Sequence, residues 1–408
     1  MHQRQIIFQS ILPNQLDPAR FSKPIIDGIE QPLTITSMNG ECTVQLPLSS
    51  KINRPIKDDF DDDELVAYAE NLENIPEKIL LKEDRKKKDI ENNPLYKYRH
   101  GILSVSDISS QIWCEQQLTY KFLYPFILND DGEIKRVDDK IHMLRGTSLH
   151  LDRELEIQIK VSIQCQTRED SYGIRLLNMI QAIHGLLTWN KHDQPYITRE
   201  MPIFGNMYGG KLYFRGIIDE INYDPRTNQL EVVEFKTRAS KTTPKPQQTY
   251  THKIQVNIYR TLLDELIQGQ VDKTLYFQRF NLEPTTILSD SILNQYNQCG
   301  FTQINTLENA FDLLIKLAFQ MPTITTNGAI EYILQSDPTW KNRKEFDRDE
   351  NNLKELLIKS EGYWLGKREA EGVDIEDAYK CQWCDYKEMC TWREEKSNEF
   401  SRKKRRIN

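Results

Sequence analysis

The chain has 408 residues and a formal net charge of −7, from 54 basic and 61 acidic side chains, with seven cysteines. Such a length can bury a large core as one elaborated domain, and no run approaches the roughly 18–20 apolar residues of a membrane span, so the chain reads as soluble with no membrane partner. Seven cysteines over this length do not make a disulfide scaffold, and mild acidity does not advertise a nucleic-acid binder, although screening beyond about 8–10 Å makes local charge the deciding quantity.

Residues 1–40 hold few acids, with Arg4, Arg20 and Lys23 against Asp17 and an apolar patch at Ile6, Ile7, Phe8, Ile11 and Leu12. This is a weak transit-peptide pattern, with an ordinary disordered terminus as the alternative. The following stretch carries charge runs of both signs, DDFDDDE from Asp58 and Arg85-Lys86-Lys87-Lys88, and little apolar periodicity. Residues 1–100 are therefore read as a mobile or peripheral extension.

Folded character begins near Ser104. Ile108, Ile112, Leu118 and Phe122 recur at roughly helical spacing, Ser106 or Asp107 can cap the start, and Pro125 marks the end, which predicts one helix containing Cys114. A second helix is expected to open near Gly146 and places His150 and Glu154 one turn apart. A lone histidine in such a place is more often structural than a metal ligand.

The helix IRLLNMIQAIHGLLTW and the strand PYITREMPIFG lead to the segment Lys211–Arg238. Two β-branched, apolar runs flank Asp224-Pro225-Arg226-Thr227-Asn228, a turn-forming sequence, so a hairpin follows. With the turn centred between Arg226 and Thr227, opposed residue numbers sum to 453 and Asp219 faces Glu234. Directly opposed Cβ atoms lie about 4.5–5.5 Å apart, and like charges so placed repel unless a cation sits between them. Period-two alternation puts Lys236 beside Glu234 and turns Val233 and Phe235 to the other side. Two carboxylates for a hard divalent ion and one ammonium beside it suit phosphodiester hydrolysis; the bland alternative is a solvated face of an ordinary strand pair.

Arg238, Lys241 and Lys245 follow in a polar loop, where they can neutralise a phosphate backbone. The next helix buries Ile254, Ile258 and Leu262 and carries Gln255 and Tyr259 one turn apart; TLYFQRF reads as a strand and NAFDLLIKLAFQM as a helix. Strands interleaved with helices point to a mixed central sheet of α/β class. Near the carboxyl end Cys381, Cys384 and Cys390 have the spacing C-x2-C-x5-C, a metal-ligand pattern whose fourth ligand must come from elsewhere, with zinc and an iron-sulfur cluster both open. The tail, 395–408, contains RKKRR, a pattern of nuclear-localisation or phosphate-binding segments.

Taken together, WCEQQ at Cys114, Gly146-x3-His150, Gly216-x2-Asp219, Glu234-Phe235-Lys236, Gln255-x3-Tyr259 and the three distal cysteines resemble the exonuclease V family, which are RecB-like PD-(D/E)XK nucleases with an iron-sulfur staple. The resemblance runs from about Ser104 to Trp392 in the family's order and leaves the first hundred residues and the tail uncovered; Ile218-Asp219 replaces the usual Pro-Asp pair. It implies a nuclease domain over 101–394 with a mixed central sheet flanked by helices. Asp219 and Glu234 would bind catalytic Mg²⁺, with Mn²⁺ as a substitute, His150 would be a further ligand and Lys236 the catalytic lysine. Gln255 and Tyr259 would lie near the scissile strand. Cys114, Cys381, Cys384 and Cys390 would hold a 4Fe-4S cluster. The implied activity is exonuclease digestion of single-stranded DNA to short oligonucleotides by a monomer, with a single-strand DNA-binding protein as a candidate partner, in the mitochondrion or the nucleus. Tyr208, Tyr213, Tyr363 and Trp364 are candidates for base stacking, with ordinary core or surface aromatics as the commoner reading. The competing readings are a silent nucleic-acid-binding scaffold held by zinc and an RNA-directed nuclease.

Overall fold

The computed structural model describes residues 93–128, 134–136, 141–242 and 244–407, and before them the strands β1 (Gln3–Ser10), β2 (Leu33–Ser37) and β3 (Gly40–Val44). The charge runs from Asp58 and from Arg85, and most of the acid-poor stretch at 1–40, lie outside the described residues.

Helix α1 (Pro94–Arg99) and strand β4 (Ile102–Ser104) lead into α2 (Val105–Trp113) and α3 (Glu115–Leu123). The single helix expected here is broken at Cys114, whose extended backbone (φ −172°, ψ 114°) closes α2 and opens α3. The Gln117 amide donates to its Sγ at 3.4 Å, so the thiol serves as a helix cap. Ser104, in a reciprocal capping box with Asp107, is the N-cap of α2 in place of Ser106 or Asp107.

After the short hairpin of β5 (Phe126–Leu128) and β6 (Ile134–Arg136), α4 (Ile141–Leu155) starts ahead of Gly146 rather than at it. A Cβ on Gly146 would sit 2.8 Å from Thr237 Oγ1, so the missing side chain is what lets this helix approach the sheet. Strand β7 (Gln158–Cys165) pairs antiparallel with β1, apart from the main sheet. Helix α5 (Arg168–Leu187), opened by a Thr167/Asp170 capping box, is buried along most of its length.

The centre of the molecule consists of β8 (Tyr196–Gly205), β9 (Tyr213–Asp224), β10 (Gln229–Arg238), α6 (Pro246–Ile267), β11 (Thr323–Ile324), β12 (Asn327–Leu334) and β13 (Asp337–Asp347). Between α6 and β11 come α7 (Lys273–Arg279), α8 (Asp290–Gln298) and α9 (Leu307–Ala318). TLYFQRF, expected as a strand, is α7: Asp272 caps it by accepting from the Leu275 amide, and Tyr276 and Phe280, one turn apart, both enter a cluster with Phe204 and Phe311. The β preference of aromatics reflects fit to a pleated face, and packing on one helical side overrides it. Helix α10 (Glu350–Trp364), a 3₁₀ segment (Ile375–Trp383) and α11 (Thr391–Ile407), which takes in the basic tail, complete the chain. Among the described residues no helix is long and apolar enough to cross a membrane.

The main sheet has seven strands in the order β13-β12-β10-β9-β4, with β11 added to β10 and β8 to β9. It is mixed: β12/β10 and β4/β9 are parallel, while β13/β12, β10/β9 and β8/β9 are antiparallel. Helices cover both faces. Ile254, Ile258 and Leu262 of α6 join the large core that includes Val232 and Ile330, whereas Val233, Phe235, Ala329 and Ile333 form a second, smaller cluster. Arg153 of α4 lies over the latter, its guanidinium carbon 3.4 Å from the Phe235 ring centroid. This is the expected α/β class with a mixed central sheet flanked by helices.

Candidate active site at a fork in the sheet

The hairpin register predicted from the turn is the observed one: Gln229 to Val233 face Asp224 to Glu220 in pairs summing to 453. The ladder stops there, one pair short of Asp219 and Glu234. Strand β8 covers one edge of β9 from Phe214 to Tyr223, so the other edge is shared between β4, at residues 213–215, and β10, at residues 220–224. Residues 216–219 lie in the gap between them. Across it the Phe235 amide donates to Asp219 Oδ2 at 2.7 Å, so a carboxylate takes the place of the missing backbone partner.

His150 of α4, Glu200 of β8 and Asp219 bring one ligand atom each within 4.8 Å of one another, a group able to hold a metal ion. His150 Nδ1 is 4.0 Å from Glu200 Oε1. Glu200 was not among the residues singled out in the sequence, although the signal was present. With a turn centred at Gly209-Gly210, β8 and β9 pair in a register summing to 419, which sets Glu200 opposite Asp219 between the pairs Arg199–Glu220 and Met201–Ile218. Glu200 has φ 52°, in the left-handed region. That conformation costs a non-glycine residue about 1–3 kcal/mol and is sustained where surrounding structure fixes it.

Glu234 is buried beside this group. Burial, then the nearby Asp219 charge, push its carboxyl up to about 7 against the opposing pull of Lys236 and His150. Lys236 Nζ donates to Glu234 Oε1 at 2.5 Å, while Glu234 Oε2 is buried with no hydrogen-bond partner among the described residues. Burial acts to lower the Lys236 pKa, but Glu234 and Asp219 outweigh it and hold the ammonium protonated. Two acids and an amine thus converge just past the end of the ladder, with an unsatisfied carboxylate oxygen among them.

The placement of α4 rests on a buried ionic network behind the fork. Arg199 Nε donates to Glu220 Oε2 at 2.8 Å and its Nη1 to the Arg153 carbonyl, and Arg153 reaches Glu220 at 3.1 Å and Glu331 at 3.2 Å. These bonds tie the end of the His150 helix to three strands.

Gln255 hydrogen-bonds the Tyr259 phenol, which burial and the nearby Glu234, Asp219 and Glu200 charges push well above its ordinary pKa. Both expected residues therefore border the acids. Arg238 continues β10 past Lys236, its Nη2 donating to Thr242 Oγ1 at 3.2 Å. Of the four stacking candidates, Tyr213, Tyr363 and Trp364 are core residues, the commoner role for such aromatics; Tyr208 is exposed, with the Lys354 ammonium 4.7 Å from its ring centroid.

The four expected thiols, Cys114, Cys381, Cys384 and Cys390, line one open-sided hollow together with Trp113 and Lys380. Burial raises Cys114 to about 11, and the other three thiols act on it in the same direction. Of the other cysteines, Cys165 is a core residue and Cys299 Sγ accepts from Gln181 at 2.8 Å. The side chain of Cys42 lies outside the described residues. The two stretches of chain that supply the thiols are joined by bonds of their own. Arg368 donates to both oxygens of buried Glu115 at 2.6 Å, Gln116 reaches the Ala370 carbonyl at 2.7 Å, and Tyr386 donates to the Tyr124 carbonyl at 3.0 Å.

The family model "Exonuclease V - a 5' deoxyribonuclease" matches residues 93–232, 224–312 and 298–393. A curated relative, "Exonuclease V" of Danio rerio, is 32% identical over 334 residues, covering 80% of this chain and 81% of that protein. A solved structure described as "Crystal structure of SSO0001" covers 77% of this chain and 97% of its own at 15% identity, with a TM-score of 0.31. The matched span takes in both the fork and the cysteine hollow, and the chain belongs to the exonuclease V family of DNA nucleases.

Proposed function

We propose that the chain is a divalent-metal-dependent exonuclease of single-stranded DNA on a PD-(D/E)XK core, releasing short oligonucleotides. The observation that carries the reading is the unpartnered, buried Glu234 Oε2 among three further ligand-bearing residues. His150, Glu200, Asp219 and Glu234 would hold Mg²⁺, whose hard, oxygen-rich preference fits three carboxylates and one imidazole. When bound, the ion supplies Lewis-acid polarisation of the phosphoryl group and a more acidic water. Lys236, kept charged by its two acids, stands beside the scissile phosphate and stabilises charge that develops there. Tyr259 and Gln255 form the wall against which the strand is positioned.

The donor set of the second site, four thiols around one hollow, fits a 4Fe-4S cluster. It would join α2 and α3 to the segment after α10, turning ligand binding into folding free energy. A single-strand DNA-binding protein is the partner such an enzyme would meet. Mitochondrial DNA maintenance is supported by the acid-poor amino terminus and nuclear work by RKKRR near the carboxyl end.

The test is timed digestion of single strands labelled at either end, with and without Mg²⁺, by the wild type and by Asp219→Ala. Loss of cleavage in a variant with unchanged circular dichroism is expected. Wild-type activity in that variant would remove the site. An absorption band near 400 nm in anaerobically purified protein separates the cluster from colourless d¹⁰ zinc.

A further inference from the structure

Strand β13 carries cations on both faces, and the two faces are treated differently. On one, Lys341 pairs with Glu331 at 3.0 Å and Arg343 with Glu231 and, at 3.1 Å, with Glu345. On the other, Lys344 has its ammonium 5.9 Å from the Tyr332 ring centroid, and Arg238 of β10 has its guanidinium carbon 5.8 Å from the same ring. Lys253 of α6 extends the group, 5.2 Å from the ring of Phe346, which is two residues past Lys344. Arg238, Lys253 and Lys344 make no ion pair among the described residues, and Arg238 Nε is buried without a hydrogen-bond partner. Nearby Lys241 is taken up by Asp337 at 3.9 Å. Tyr332 sits opposite Lys236 in the β10–β12 register, so the uncompensated cations begin beside the catalytic amine.

Three cations without an ion pair, gathered over two neighbouring rings next to a phosphodiester site, focus positive potential where an external polyanion can lie. We propose that Arg238, Lys253 and Lys344, lying over the buried rings of Tyr332 and Phe346, form a phosphate-holding track that carries the single strand away from the acid fork. The proposal rests on the nuclease reading and adds the path of the substrate. The paired face of β13 takes no part.

The experiment measures binding of a fluorescent oligothymidylate to the full-length protein in buffer without divalent cations, so that no cleavage occurs, over a range of salt. Each phosphate neutralised on a single strand adds about 0.7 to the log–log salt slope, so Lys253→Ala/Lys344→Ala should flatten it by about 1.4 and weaken binding about 25-fold at 0.1 M salt. Lys253→Arg/Lys344→Arg should bind as wild type, and so should Lys341→Ala, on the opposite face. An unchanged slope in the double alanine variant overturns the track while leaving the nuclease reading intact. A wild-type protein that does not bind the strand overturns both.

Discussion

Replacing Glu234 by glutamine separates what the folded chain gains from this carboxyl from what a metal gains. The amide stands in for the protonated acid, and the attraction of Lys236 is already contained in the raised pKa. A rise from 4.5 to about 7 corresponds to about 3 kcal/mol against the ionised form, at about 1.36 kcal/mol per pH unit. Because the folded value lies above the unfolded one, the associated stability is present below pH 4.5 and is lost as pH rises through 7. At pH 8 without metal, Glu234→Gln should therefore be more stable than wild type by about 3 kcal/mol, a melting shift of about 5 °C for a domain of this size. At pH 5 the two should nearly coincide. Millimolar Mg²⁺ should raise the wild-type midpoint at pH 8 and leave the variant, which should be inactive, where it was. Thermal denaturation at the two pH values, with and without Mg²⁺, reads all of this. A variant no more stable than wild type at pH 8 in metal-free buffer would refute the claim that the fold tolerates this charge for the sake of a cation.

Gly146→Ala should place a methyl 2.8 Å from Thr237 Oγ1, move His150 away from Asp219 and cut activity at least tenfold, and adding Thr237→Ala should restore much of it; steady-state rates of the single and double variants check this. Glu200→Ala and Glu200→Gly should both weaken metal binding, but only glycine relieves the φ of 52°, so Glu200→Gly should be the more stable by about 1 kcal/mol in urea melts. Arg368→Ala leaves the Glu115 carboxylate buried beside Gln111 without its bidentate partner, which should cost about 3 kcal/mol in urea melts and speed bleaching in air of the 400 nm band that the proposed cluster would give.

Local chemistry made the hairpin legible. The Asp-Pro-Arg-Thr-Asn turn set the register, and the register brought Asp219, Glu234 and Lys236 together. What it did not reveal was that the ladder ends just before the acids, because that depends on β4 and β10 dividing one edge of β9 between them. Glu200 was missed for a related reason. Its strand was recognised, but its partner follows from a second pairing around Gly209-Gly210, and a charged residue within an apolar strand attracts notice only once the neighbour is known. The break at Cys114 was hidden because apolar spacing alone continues smoothly across it; a thiol capping a helix carries no periodic signal. TLYFQRF went the other way, since aromatic residues favour strands in isolation and here fill one side of α7 against Phe204 and Phe311.

The hydrogen bond from the Phe235 amide to Asp219 has a mechanical consequence. It anchors one acid, carried by β9, to the β10 peptide unit lying between the other acid and the lysine, so all three groups are referred to one short piece of backbone. Strain arriving from the far strands of the sheet would shift that piece as a block and leave its internal spacing intact. The imidazole on α4 reaches the fork from a separate helix, and its distance depends instead on the Arg153 and Arg199 bonds that hold that helix to the sheet.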